Sequence, residues 1–188
     1  MNKEFNETLE RSPVIAAVFE SSDLDIAINS PCEIIFLLSG SICDLDAVIR
    51  KAHEKGKKLY LHIDLLEGAA NDRSGLQFIK KHFCPDGIIT TKSNVVRHAK
   101  ELGLFVVQRF FILDSKSFES AFKTAKSTDA DAIEILPGIL PEITRQISQS
   151  ARMPVIAGGL IRSKKNAVES LAMGAMGVST SCKEVWDM

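Results

Sequence analysis

Two short runs in the C-terminal third carry the residue types best suited to holding an oxyanion. The first is Pro154-Val155-Ile156-Ala157-Gly158-Gly159-Leu160-Ile161-Arg162, and the second is Gly177-Val178-Ser179-Thr180-Ser181. Each reads as a buried strand that ends in small residues and then runs into a helix. Glycine lets a backbone approach a ligand closely, and N–H groups at a helix start attract negative charge. Side by side, the two turns make a phosphate cradle from Gly158, Gly159, Ser179, Thr180 and Ser181. A glycine pair by itself more often just makes a tight turn, and Thr180 and Ser181 can also serve as helix caps. The place of the two runs tips the reading: in a (β/α)8 barrel the loops after strands 7 and 8 are the usual phosphate site.

A second set, Asp64, Lys92, Arg109 and Glu134, falls at or near strand ends. Carboxylates there accept hydrogen bonds from hydroxyls, and Arg or Lys meets negative charge, so the four suit a small polyol phosphate. They suit equally an internal ion-pair network that fills a narrow barrel. Strand alternation sharpens the choice of face. In Leu59-Tyr60-Leu61-His62-Ile63-Asp64 the aliphatic residues match a helix-packed face, so Tyr60, His62 and Asp64 point inward. In Ala132-Ile133-Glu134-Ile135-Leu136 the isoleucines pack on helices and Glu134 points inward. A buried carboxylate needs a partner, with Arg109 and Lys92 the available cations. The face taken by Arg109 stays open. Nothing around Lys92 singles it out as a Schiff-base lysine.

These residues need a scaffold, and the chain supplies one. Eight apolar runs begin near Val14, Ile34, Leu59, Gly87, Phe105, Ala132, Val155 and Gly177, spaced by one strand plus one helix. The intervening segments have helical periodicity. Ile42, Leu45, Val48, Ile49 and Ala52 share a face that ends at Gly56. Asp114 or Ser115 can cap a helix bearing Phe118, Ala121, Phe122 and Ala125, and Ser163 can cap one that ends at Gly174. Alternating strands and helices imply a parallel sheet, and eight units imply closure into a compact (β/α)8 TIM barrel. An open doubly wound sheet has the same local signature. At 188 residues the barrel is barely decorated, since about 250 residues is typical. With no composition shift or linker, residues 1–188 are expected to form one barrel domain.

Composition narrows the function classes. A net charge of −1 argues against a globally basic nucleic-acid-binding domain, and 45% hydrophobic residues allow one sizeable core. The four cysteines form no C-x-x-C pair, which points to buried reduced thiols. The histidines have no metal spacing, so no metal is expected. His62 reads as a hydrogen-bonded core residue, and His53, His82 and His98 as surface residues. No apolar run is long enough for a membrane span, and the stretch Met1 to Phe5 has no signal-type core. The loop Leu65 to Arg73 is the longest βα connection, either a closing lid or a solvated loop. Basic clusters stand at Arg50-Lys51 with Lys55, Lys57 and Lys58, at Lys80-Lys81-His82, at Arg97-His98 with Lys100, and at Arg162 with Lys164-Lys165. They can touch RNA phosphates, although such runs are usually solvated faces.

Six segments, in order, resemble the glycerol-3-phosphate-responsive antiterminators, the glycerol uptake operon regulatory proteins. They are His62 to Gly68, Asp86 to Lys92, Gln108 to Ser115, Ile133 to Gly138, Ile156 to Ile161 and Val178 to Ser181. The resemblance covers nearly the whole chain. It implies a cytoplasmic regulator on a barrel turned from catalysis to sensing, with glycerol 3-phosphate as effector and no cofactor. It also implies action on the leader mRNA of glycerol-catabolic genes, allowing read-through of a terminator. The residues alone show no RNA-recognition motif or aromatic platform. The rival reading is a barrel enzyme acting on glycerol phosphate or a triose phosphate, although no base and acid pair stands out beyond Asp64 and Glu134. A third is a barrel that binds the same effector and controls a protein partner. Self-association into a homo-oligomer is left open.

Overall fold

The computed structural model describes residues 3–188. Of the N-terminal stretch read as polar, Met1 and Asn2 therefore lie outside the described residues. Eight strands alternate with helices: β1 Val14–Val18, β2 Ile34–Leu37, β3 Lys58–His62, β4 Gly87–Thr90, β5 Val106–Phe111, β6 Ala132–Leu136, β7 Val155–Gly158 and β8 Gly177–Thr180. Each strand pairs in parallel with the next, and β1 pairs with β8, so the sheet closes. The open-sheet alternative is thereby excluded.

The helices are α1 Lys3–Arg11, α2 Ser21–Asn29, α3 Leu45–Glu54, α4 Arg73–His82, α5 Ser93–Glu101, α6 Ser115–Ala125, α7 Pro141–Ser150, α8 Lys164–Ala172 and α9 Lys183–Trp186. Their ends follow local chemistry. Asp114 caps α6 in a reciprocal capping box with Ser117, Ser163 accepts from the N–H of Asn166, and Asp72 accepts from that of Gly75. Gly56 and Gly174 sit at positive φ just past α3 and α8.

Side-chain period sorts the strands into two layers. Leu59, Leu61 and Ile63 pack among helix residues such as Leu45, Ile49 and Ala52, while Tyr60 joins Ile15, Phe36 and Val107 inside the barrel. Ile133 and Ile135 face Phe118, Phe122 and Ile147. The open bottom of the barrel is closed by α1, which polarity alone does not reveal. Phe5 packs its ring 4.6 Å from that of Phe105 and 5.5 Å from that of Tyr60, and Leu9 is buried beside it. Three buried positions on one face suffice for a plug because the rest of α1 is solvated.

The thiols depart from the expectation. Cys32 is buried, and desolvation raises its pKa; Cys182 is half-buried, whereas Cys43 and Cys84 are exposed on loops. The loop after β3 is neither free nor purely solvated: Leu66–Glu67 pairs with Gly40–Ser41 in a small parallel ribbon over the barrel rim. Among the described residues, no helix is long and apolar enough to cross a membrane.

Candidate functional site

The inward positions at the C-terminal ends of the strands form a polar layer above an apolar interior. His62 on β3, Arg109 on β5, Glu134 on β6 and Ser179 on β8 are all buried there. The register sets Arg109 directly opposite Glu134. Arg109 Nε donates to Glu134 Oε2 at 2.6 Å, and the Ser179 hydroxyl donates to Glu134 Oε1. Arg109 thus turns inward and supplies the partner that a fully buried carboxylate requires. Gly158 makes room for this cluster. A Cβ there would collide with both Glu134 Oε1 and Ser179 Oγ.

Above this layer opens a cavity of about 740 Å³. Arg109 and Glu134 form its floor, and Gly159 to Arg162, Ser179 to Lys183 and Phe19 line its wall. Among the described residues, none accepts a hydrogen bond from the backbone N–H of Gly159, Leu160, Ile161 or Ser181. Gly159 takes φ +73°, and Leu160 follows at φ 58°. A leucine in the left-handed region costs on the order of 1–2 kcal/mol, a strain found mostly at functional sites. Arg162 and Lys183 add positive charge to the wall, Lys183 while paired with Asp23.

The second predicted set splits in space: Arg109 and Glu134 join the phosphate-type residues, and Asp64 and Lys92 do not. Gly159, Ser179, Thr180, Ser181, Arg109 and Glu134 share the cavity. The Thr180 hydroxyl donates to the Ile161 carbonyl at 2.6 Å and accepts from Cys182 N–H at 3.0 Å, so it ties the two turns together. Asp64 and Lys92 form a second cluster, away from the cavity wall. The Asp64 carboxylate accepts from the Thr90 hydroxyl at 3.0 Å, and from the Thr91 N–H at 2.8 Å and hydroxyl at 3.0 Å. Lys92 Nζ stands 3.8 Å from Asp64, and with the Asn71 amide oriented to satisfy both its neighbours, Lys92 donates to its oxygen at 3.0 Å. The Asn71 amide in turn donates to the Ile63 carbonyl at 2.8 Å, pinning the loop after β3.

His62 differs from the hydrogen-bonded core residue expected. Its Nδ1 is buried with no protein partner among the described residues. Burial, reinforced by the charge of Arg109, lowers its pKa from 6.5 to about 4, with Asp64 opposing. Between those values the unfolded chain takes up a proton that the folded chain refuses. Stability therefore falls as pH drops below about 6.5, and His62 adds no pH dependence above that. The part due to His62 is about 2 kcal/mol by pH 5. In His62→Gln, urea unfolding at pH 7 and pH 5 is expected to lose that part of the difference. An unchanged difference contradicts the assignment.

Leu160, Arg162, Lys183 and His62 were not in the predicted site sets. Arg162 belonged to a basic cluster, and His62 was legible as inward. The backbone strain at Leu160 has no sequence signal, because leucine is not a left-handed residue by type.

The fold and this site define a compact (β/α)8 barrel whose polar chemistry is gathered at the C-terminal ends of its strands. Residues 14–186 match the family model described as glycerol-3-phosphate responsive antiterminator. The chain belongs to that family. It is 38% identical over 180 residues to the uncharacterized protein YgcP of Escherichia coli (strain K12), spanning 96% of this chain and 94% of YgcP. The crystal structure of the glycerol uptake operon antiterminator regulatory protein from Listeria monocytogenes str. 4b F2365 superposes with a TM-score of 0.87. It shares 34% identity and covers 93% of this chain and 94% of that one. The glycerol uptake operon antiterminator-related protein of Thermotoga maritima MSB8 gives a TM-score of 0.81 at 29% identity, over 94% and 99% of the two chains.

Proposed function

We propose that this chain is a cytoplasmic sensor of glycerol 3-phosphate that binds leader mRNA of glycerol-catabolic genes and permits read-through of a terminator. The observation that carries the ligand half is the pairing of open backbone N–H groups with a buried ion pair in one cavity. The phosphate sits on the N–H groups of Gly159 to Ile161 and of Ser181, with the Ser181 hydroxyl and Arg162 beside it. The glycerol hydroxyls reach down to Arg109 and Glu134, whose charges act as donor and acceptor for them. Ser179 holds the Glu134 carboxylate, and Gly158 keeps the space clear. Asp64 and Lys92 brace the rim that the ligand orders. The family relation supports the RNA half of the reading and the absence of catalysis.

A ligand that binds only the folded chain stabilises it by about 2.7 kcal/mol at a hundred times its Kd. For a chain of this size that raises the melting temperature by about 5–10 °C. Glycerol 3-phosphate is expected to produce this shift, and glycerol or inorganic phosphate a much smaller one. An equal shift with phosphate alone reduces the site to a general anion cradle. Gly159→Asp places a negative charge in the cradle and is expected to abolish the shift. Gly159→Asn is the control, because asparagine also tolerates the left-handed backbone without adding charge. Retention of full ligand affinity by the aspartate variant rejects the placement of the phosphate.

A further inference from the structure

We propose that the outer face of α4 and α5 is the surface that grips single-stranded RNA, an assignment that rests on the RNA-binding half of the proposed function. Phe78 on α4 is 46% exposed, a large aromatic ring left in solvent. Its ring lies 4.5 Å from that of His82, one helical turn on, inclined to it by 36°, so the two form an exposed aromatic pair. Phe83 supports it edge-on at 5.8 Å. A base can stack on such a pair whatever its identity, since every base has a π-face.

Charge is segregated to the same place. Within Arg73–His82 and Ser93–Glu101 stand five Lys or Arg residues against the single carboxylate of Glu101, in a chain whose net charge is −1. Some of these cations are engaged. Arg73 pairs with Glu101 at 3.5 Å, Lys100 with Asp131 at 2.6 Å, and Lys80 caps the carbonyl of Leu102. Lys81 and Arg97 remain exposed without a carboxylate partner among the described residues. Lys81 shares the α4 face with Phe78, and α5, which carries Arg97, packs beside α4. Aromatic platform and unpaired cations together match the two needs of a single strand, base stacking and phosphate neutralisation. A solvated helix face has the second feature but no reason to expose the first.

The position also links this face to the rim of the barrel. The chain enters α4 just after Asn71 and α5 just after Lys92, and those two side chains are bonded to each other at the rim with Lys92 beside Asp64. This rim cluster therefore ties the starts of both helices together.

The test uses the whole chain, saturating glycerol 3-phosphate and a fluorescein-labelled, random-sequence single-stranded RNA pool, read by anisotropy. Phe78→Ala is expected to weaken binding about ten-fold. Lys81→Glu with Arg97→Glu is expected to weaken it at least as much and to flatten the salt dependence. The same charge change at the C-terminal end of α6, Lys123→Glu with Lys126→Glu just past it, is expected to leave affinity within about two-fold of wild type if contact with phosphates is local. The melting-temperature shift by glycerol 3-phosphate should persist in all these variants, which separates loss of the RNA surface from loss of fold. If the native chain binds the pool and the α4–α5 variants bind equally well, or the α6 control weakens binding as much, this surface is wrong and the RNA reading stands. If the native chain does not bind the pool, this sequence-tolerant surface falls, and the RNA half of the proposed function is judged separately by binding to the leader mRNA itself.

Discussion

Arg109→Met is expected to cost this protein about 3–5 kcal/mol, the usual penalty for removing one partner of a buried ion pair. Glu134 is fully buried and keeps the Ser179 hydroxyl, but one neutral donor does not compensate a carboxylate. Arg109→Lys is not a safe substitute, because an ammonium on a flexible stem does not reproduce the planar guanidinium. The double variant Arg109→Met/Glu134→Leu removes both charges and is expected to recover most of the stability. Neither variant should respond to glycerol 3-phosphate, since the cavity floor lacks Arg109 in both and Glu134 as well in the double variant. Urea unfolding of the two variants decides the matter. Equal losses in the single and double variants mean that the pair does not carry the energy, and a thermal shift by glycerol 3-phosphate in the double variant removes Arg109 and Glu134 from the ligand site.

Gly158→Ala is expected to have the next largest effect, although alanine is usually a mild change. Gly158 is not at positive φ, so the cost is steric rather than conformational. The new methyl would occupy the place of Glu134 Oε1 and Ser179 Oγ. Neither group has room to retreat, because Glu134 is held by Arg109 and both lie in the interior. Overpacking of this kind costs about 1–3 kcal/mol and sometimes more. The ligand shift should disappear with it, because the clash distorts the Arg109–Glu134–Ser179 cluster that forms the cavity floor. At Gly159 the balance reverses. Its Cβ would meet the side chain of Leu136 at 3.1 Å, which can yield, but its φ of +73° penalises any ordinary side chain. Gly159→Ala is therefore expected to cost about 1 kcal/mol through the backbone. The combination Gly158→Ala/Glu134→Ala should be less damaging than the sum of its parts, since the second change clears the space that the first invades. Strict additivity, measured by urea unfolding, argues against the clash.

These expectations rest on features of unequal legibility. The strand-plus-helix period identifies the barrel, and the period-two alternation within β3 and β6 places His62 and Glu134 inside. Both signals are local, because side-chain direction follows from the chain's own geometry. Helix caps such as Asp114 and Ser163 were legible for the same reason. Six ordered segments carried the family resemblance, which pattern reading alone does not reach.

Which charged groups meet depended on closure. Arg109 and Lys92 were equally available to Glu134 in the sequence; the register between β5 and β6 brings Arg109 to it and leaves Lys92 with Asp64 and Asn71. Asp64 reads in sequence as an acceptor for polyol hydroxyls or a member of an internal ion-pair network, yet Thr90 of the next strand and Thr91 just past it take up its oxygens. The plug formed by α1, the strained turn at Leu160 and the exposed ring of Phe78 next to His82 also come only from packing. The residue types and their periods determined a parallel barrel with small residues after its last two strands and polar groups facing inward. The tertiary structure alone decided how those groups are partnered, because pairing distances are set by non-local strand register and barrel closure, which no window along the chain contains.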